Sequence, residues 1–320
     1  MAGDTVIKAL ALEGFDRPPA VIDVPAPQPA SGELLVRVRA ASVNAYDAFV
    51  AMGMAKDFMP HEFPAVLGQD LAGIVEAVGD GVEGFREGDR VFGTIGAKGT
   101  VHDGTFAELS TPLVPALALI PAAVDDQQAG TLGVAATTAM SAVEAIDPSK
   151  GATVLIVGAT GGVGTFAIQL AAARGAHVIA SVLPGDEGVV TALGAAETVD
   201  YSKDMIGAVR ERHPDGIDAV IDLVHRDPGE FGGLVGLVRA GGRAASALGA
   251  AGDATEIGEV QVQNAGGDPS HLAALASMVQ EGTLKAAIQR TYPLADAAQA
   301  LIDFTNLHTV GKLVITMPGA

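Results

Sequence analysis

The 320-residue chain has no cysteine and no tryptophan, and aromatic residues make up only 4% of it. Without cysteine there can be no disulfide and no thiolate metal site. Basic residues are scarce, with 19 Lys and Arg against 38 Asp and Glu, for a formal net charge of −19. Such a surface repels nucleic acid and anionic membranes, and no basic patch is set apart for either. The acidity suits solubility. No uninterrupted apolar run of about 18 residues, as a membrane span requires, is present. The opening stretch from Met1 to Pro19 lacks the basic start and long apolar core of a targeting segment, so the expected location is cytoplasmic.

What the chain does have is apolar bulk, at 49% hydrophobic against 18% charged residues. Its length predicts about two domains. The first third reads as β-rich. Apolar and polar residues alternate from Glu33 to Ala40, a second strand pattern runs from Leu71 to Gly79, and Gly79-Asp80-Gly81 and Glu87-Gly88-Asp89 supply turns. Many short strands broken by Gly and Pro predict a small barrel. Val24 to Pro29 reads as an extended, proline-rich connector. From Asp125 to Ala145 the spacing turns helical, and strand and helix patterns then alternate. Strands are predicted at 153–157, 177–181, 198–200, 219–222 and 243–247. That alternation predicts a parallel, doubly wound sheet. Helices are expected at 272–281 and 295–305, and a closing strand at 312–316.

The most informative stretch runs from Val154 to Ser181. A buried strand enters Gly158-Ala159-Thr160-Gly161-Gly162-Val163-Gly164, a helix carries Phe166, Ile168 and Leu170, and Val178 to Ser181 form a second strand. A pyrophosphate needs backbone N–H donors and a helix N-terminus aimed at it, with no side chain in the way. Gly161 would admit the phosphates and Gly164 would let the helix pack on its strand. The first glycine of the usual pattern is Ala159 here, flanked by Gly158. An NAD site usually has an acidic residue about 20 residues on. This second strand ends at Ser181, which would not repel a 2′-phosphate, and that favours NADP (NADPH). Asp186 and Glu187 follow and leave room for NAD.

Several segments together resemble the medium-chain dehydrogenase/reductase superfamily, in its zinc-independent quinone oxidoreductase, zeta-crystallin-like branch. They are Ala41-Ser42-Val43-Asn44 with Asp47, Pro64 to Gly73, Gly88 to Gly93, Gly104 to Glu108, Thr137 to Met140, the glycine turn and Gly311-Lys312-Leu313-Val314. The resemblance implies an α/β protein with a GroES-like β-barrel catalytic domain and a doubly wound parallel-sheet Rossmann domain. The expected divisions are residues 1–122 for the barrel, 123–265 for the NADP-binding domain, and 266–320 for a return to the barrel. It also implies a homodimer.

In the zinc-dependent members a catalytic Cys and a His-Glu pair hold the metal; the matching positions here are Asn44 and Gln69-Asp70. Gln and Asn are poor zinc ligands, and the seven histidines have no metal-ligand spacing, so no metal is expected. Without a Lewis acid a simple alcohol is a poor substrate, whereas a quinone or α,β-unsaturated carbonyl already draws electron density. The expected activity is therefore NADPH-dependent hydride transfer to a small conjugated carbonyl or quinone substrate. Asn44 and Tyr46 are the candidate catalytic residues: Asn44 by orienting the cofactor or donating to a substrate oxygen, Tyr46 as a donor or as a packed interface residue. The resemblance places Thr138 against the nicotinamide half. Tyr201 either lies near the adenosine end or covers a sheet edge. Gly158, Ala159, Thr160, Gly161, Gly162, Val163, Gly164 and Ser181 complete the cofactor set. Met52, Met54, Phe58 and Met59 would form an apolar wall or plain packing. Tyrosines found in relatives are replaced by Phe49 and Ala55, so a proton donor is missing from two family positions. The alternatives are an enoyl-thioester reductase and a non-catalytic NADP-binding sensor or structural protein.

Overall fold

The computed structural model describes residues 5–319, and these divide into two compact units. The first unit takes the chain up to Val134, returns for Pro269–Glu281, and resumes at Ile288. The second comprises Ala135–Asp268 and Gly282–Ala287.

The strands of the first unit are β1 (Val6–Leu12), β2 (Ala20–Pro25), β3 (Leu34–Ser42), β4 (Ala65–Val66), β5 (Asp70–Val78), β6 (Arg90–Thr94), β7 (Leu109–Ser110) and β8 (Leu117–Leu119). In the second unit lie β9 (Thr153–Val157), β10 (His177–Val182), β11 (Glu197–Asp200), β12 (Ile217–Asp222), β13 (Val238–Ser246), β14 (Glu256–Ile257) and β15 (Val260–Asn264). Strands β16 (Ile288–Pro293) and β17 (Lys312–Thr316) belong to the first unit again.

The first unit holds a small β2-β1-β4 sheet and a larger one in the order β16-β17-β3-β5-β6-β8, with β7 on β3. Alternation in β3 buries Leu34, Val36, Val38 and Ala40 while Arg37 faces solvent. These pack with Leu10, Leu71, Phe106, Tyr292 and Ile315 in one core. Burying the apolar faces of β16 and β17 there fixes the C-terminal return.

The second unit is a sheet in the order β11-β10-β9-β12-β13-β15-β14, parallel except for the β14–β15 pair. Val154 to Val157 are buried throughout, as a central parallel strand covered on both faces must be. Strand order reverses on either side of β9, which places a ligand-binding crevice at the C-terminal ends of these strands. Residues Gly282–Ala287 join this unit because Gln169 substitutes for a strand neighbour: its Nε2 donates to Lys285 O and its Oε1 accepts from Lys285 N, both at 2.9 Å.

The helical reading of residues 125–145 requires correction. A short helix at Asp126–Ala129 ends at Gly130, a π-helical turn spans Leu132–Ala136, and only then does Thr137–Ile146 run as a regular helix. The cause is local. Val134 N donates to Asp70 Oδ1 at 2.7 Å. A Cβ on Gly133 would lie 2.5 Å from that same oxygen. A carboxylate from β5 thus holds the backbone where a side chain would exclude it.

Candidate active site

Strand β3 ends at Ser42, and Asn44 caps the helix Ala45–Ala51 that follows. Its backbone N–H donates to Asp47 Oδ2 at 2.7 Å, a bond that fixes the helix start. The Asn44 side chain enters a buried polar cluster with Ser42, Asp47, Asp70 and Lys312, none more than 7% exposed. Asn44 Nδ2 donates to Asp70 Oδ2 at 2.9 Å and to Ser42 O at 3.2 Å. Lys312 Nζ donates to Asn44 Oδ1 at 2.6 Å and to Val43 O at 2.9 Å. Ser42 Oγ donates to Asp70 Oδ2 at 2.6 Å, with Lys312 Nζ 3.5 Å from that oxygen.

Lys312 has only donors to offer, so the oxygen of the Asn44 amide must face it. The Asn44 amide can therefore face just one way. Both its Nδ2 protons are engaged, and Oδ1 keeps one further acceptor position. Asn44 can thus receive a hydrogen bond from a ligand but has no free proton to give one.

Two carboxylates share this buried space with one ammonium. The conflict is relieved at Asp47, whose pKa is pushed up to about 8, chiefly by burial and further by Asp70. The Asn44 amide, Lys312 and the Gln69 amide oppose that rise. Asp47 Oδ1 has no hydrogen-bond partner among the described residues. Burial lowers the Lys312 pKa, against the pull of Asp70 and Asp47.

The same cluster settles whether Asn44 and Gln69-Asp70 suit zinc. They do not: the Lys312 ammonium already sits against Asn44 and Asp70, where a metal cation would have to lie, and an amide pair is a poor donor set. Among the described residues no group of three or more His, Asp or Glu side chains is placed to hold a metal.

Beside the cluster, the first unit has a cavity of about 230 Å³ lined by Tyr46, Asp47, Met59, Gln69, Ile95 and Lys98 among others. Tyr46 Oη donates to Met59 Sδ at 2.8 Å. Burial, and next the charge of Asp47, raise the Tyr46 pKa, so its phenol keeps its proton. Sulfur is a weak acceptor, and this proton is easily redirected. Of the proposed apolar wall, Met59 lines the cavity, whereas Met52, Met54 and Phe58 are 59%, 52% and 79% exposed.

In the second unit the glycine turn joins β9 to the helix Gly162–Ala173. Gly158 has a φ of +80°, and Gly161 N donates back to its carbonyl at 3.1 Å. A Cβ on Gly164 would lie 2.2 Å from Gly158 O, so only glycine lets the helix approach this closely. At Gly161 a Cβ would meet nothing nearer than 3.4 Å. Ala159 and Thr160 are buried. No side chain caps the helix. The amides that open its first turn, those of the half-buried Gly162 and Val163, remain available to an anion. This cradle fits a dinucleotide pyrophosphate.

Ser181 is fully buried, and its Oγ accepts from Gly158 N at 3.0 Å. The hydroxyl ties β10 to the turn, and the strand still ends without a carboxylate. Thr138 is buried in the helix Thr137–Ile146. Tyr201 follows β11 and is 41% exposed; burial and the charges of Asp186 and Asp200 raise its pKa.

Sequence reasoning pointed to Asn44 and Asp70 but missed Lys312 as their partner. The signal was a lysine opening an otherwise apolar closing strand, Lys312 to Thr316, at 3% exposure. Read alone, the strand pattern hid it.

Known proteins agree with this architecture. Residues 30–122 match the alcohol dehydrogenase GroES-like domain, and residues 193–315 match the zinc-binding dehydrogenase family. The chain is similar to a chloroplast envelope quinone oxidoreductase homolog of Arabidopsis thaliana, at 28% identity over 92% of each chain. It is 30% identical to an NADPH-dependent alkenal/one oxidoreductase of the same plant, over 90% of this chain and 73% of that one. The solved structure of the quinone oxidoreductase from Coxiella burnetii superposes with a TM-score of 0.85 at 27% identity, covering 98% of this chain and 99% of that one. With its GroES-like unit, its Rossmann-like parallel sheet and no metal-holding group among the described residues, this chain is an oxidoreductase belonging to the medium-chain dehydrogenase/reductase superfamily, on its quinone oxidoreductase branch.

Proposed function

We propose that the protein is an NADPH-dependent reductase of quinones or other α,β-unsaturated carbonyl compounds that works without zinc. The observation that carries this reading is the buried ammonium of Lys312 between Asn44 and Asp70. With a protein cation in that place, the chain offers hydrogen bonds but no Lewis acid to polarise a carbonyl. A conjugated acceptor tolerates this best, because its own electron demand is high and only the developing oxyanion needs stabilising.

The open amides of the glycine turn would hold the pyrophosphate, with Ser181 leaving the ribose end free of a repelling carboxylate. Thr138 and Tyr201 would flank the two ends of the cofactor. Once bound, the nicotinamide would supply the hydride. Asn44, clamped by Lys312, would orient that ring through its free acceptor position. Tyr46 would turn its proton from Met59 toward the substrate oxygen. A cavity of about 230 Å³ with Met59 and Ile95 in its wall suits a compact, flat acceptor. The similarity to quinone and alkenal/one oxidoreductases supports the acceptor class. The family resemblance supports a homodimer, which sedimentation would test.

The experiment is NADPH oxidation with 1,4-benzoquinone, 9,10-phenanthrenequinone, an enone and crotonyl thioester. Turnover with the quinones or the enone is expected. Turnover with the thioester alone would transfer the protein to the enoyl-thioester reductases, and measurable NADPH binding with no turnover on any acceptor would mark it as non-catalytic.

A further inference from the structure

A dinucleotide brings a dianionic pyrophosphate, and NADPH adds a 2′-phosphate, to a chain whose net charge is −19. Open helix amides alone are a weak counter to that charge. The C-terminal edge of the second unit's sheet is where the cofactor phosphates would meet the protein. Among the described residues, the loops leaving the parallel strands at this edge carry two strongly basic side chains, Lys203 and Arg226. Lys203 Nζ lies 3.2 Å from Asp200 Oδ2. The loop after β10 carries only acidic charge, Asp186 and Glu187.

Arg226 differs. Strands β9 and β12 are adjacent and parallel, with Asp222 beside Val157. The loop after β12 therefore leaves the sheet next to the glycine turn. Leu223 N donates to Val157 O at 3.1 Å, and Val224 Cγ2 lies 2.8 Å from where a Cβ on Gly158 would be. The loop is held rigid from below: Asp222 Oδ1 accepts from Val224 N, His225 N and His225 Nδ1 at 3.1 to 3.2 Å. The next carboxylate, Asp227, accepts from Gly229 N and Glu230 N at 2.8 and 3.0 Å as the cap of the helix Pro228–Val235. Both flanking acids are thus committed to backbone or histidine. Arg226 stands exposed between them with no hydrogen bond or ion pair among the described residues.

We propose that Arg226 is a cofactor-binding residue that receives a phosphate of the dinucleotide and supplies the cationic charge that the loop after β10 lacks. Guanidinium geometry matches a phosphate through paired N–H donors. This rests on the reading of the second unit as the dinucleotide unit, and it adds a residue that the glycine-turn pattern does not contain.

The test is fluorescence titration of the wild-type protein, Arg226→Ala and Arg226→Lys with NADPH and with NADH. Since Arg226 is exposed and unpaired, Arg226→Ala should keep the wild-type unfolding temperature in the absence of nucleotide. Its affinity should fall about tenfold, the scale of one charge-assisted hydrogen bond, with Arg226→Lys in between. A fall for NADPH alone assigns the 2′-phosphate, and an equal fall for both assigns the pyrophosphate. Unchanged affinity for both nucleotides would overturn the proposal while leaving the dinucleotide reading intact. A wild-type protein that binds neither nucleotide would overturn the dinucleotide reading and the proposal with it.

Discussion

Asn44 is held by a donor on one side and an acceptor on the other, so its chemistry is decided by neighbours distant in sequence. Asn44→Ala should lower turnover by roughly the 10² expected for losing one positioned polar contact at an active site; an unchanged kcat would remove it from the site. Lys312→Met would leave Asp70 buried without its cation and should cost about 3–5 kcal/mol in denaturant unfolding. Asp47 gives a pH signature. It keeps its proton up to about 8 in the folded protein, against 3.8 for an ordinary carboxyl. The folded chain therefore binds more protons than the unfolded chain across that interval, and stability should fall as pH rises through it. Lys312 acts in the opposite sense: its lowered pKa makes stability rise with pH as its ordinary value of 10.5 is approached. In Asp47→Asn the carboxyl is gone, and the decline between about pH 4 and 8 should flatten. Urea midpoints at both ends of that interval check it, and an unaltered slope would assign the decline elsewhere.

At the scale of elements, the glycine turn and its helix form one unit with two separable requirements. Gly164→Ala would drive a methyl into Gly158 O, 2.2 Å away, so the helix must shift and the open amides lose their aim. NADPH affinity should drop by an order of magnitude or more, on the scale of two strained or lost contacts to charge, while far-ultraviolet circular dichroism stays near wild type. Phe166→Ala, deep in the core at 0% exposure, should instead cost about 3–5 kcal/mol of global stability. The sequence made these elements legible where one periodicity governs a segment. The strand patterns at 153–157 and 312–316 match β9 and β17 residue for residue, and the alternation in β3 marks its buried face. It failed where a distant group intrudes. Periodicity from Asp125 onward could not register that Asp70 captures the Val134 amide and opens a π-helical turn. Asn44 was found through the family resemblance, whereas its clamp, 268 positions away, was not.

Across the whole molecule, charge and fold work in opposite directions. An acidic protein must bind an acidic cofactor, and the scarcity of cations makes each unpaired one at the sheet edge informative. On the proposed function, the Lys312 ammonium lies against Asn44 and Asp70, and a conjugated acceptor would be reduced on hydrogen bonds without a metal. The most direct measurement is the rate of NADPH oxidation by 1,4-benzoquinone after exhaustive dialysis against a chelator, with zinc then restored. The predicted result is turnover that neither treatment alters. Activity lost to the chelator and recovered with zinc would contradict it.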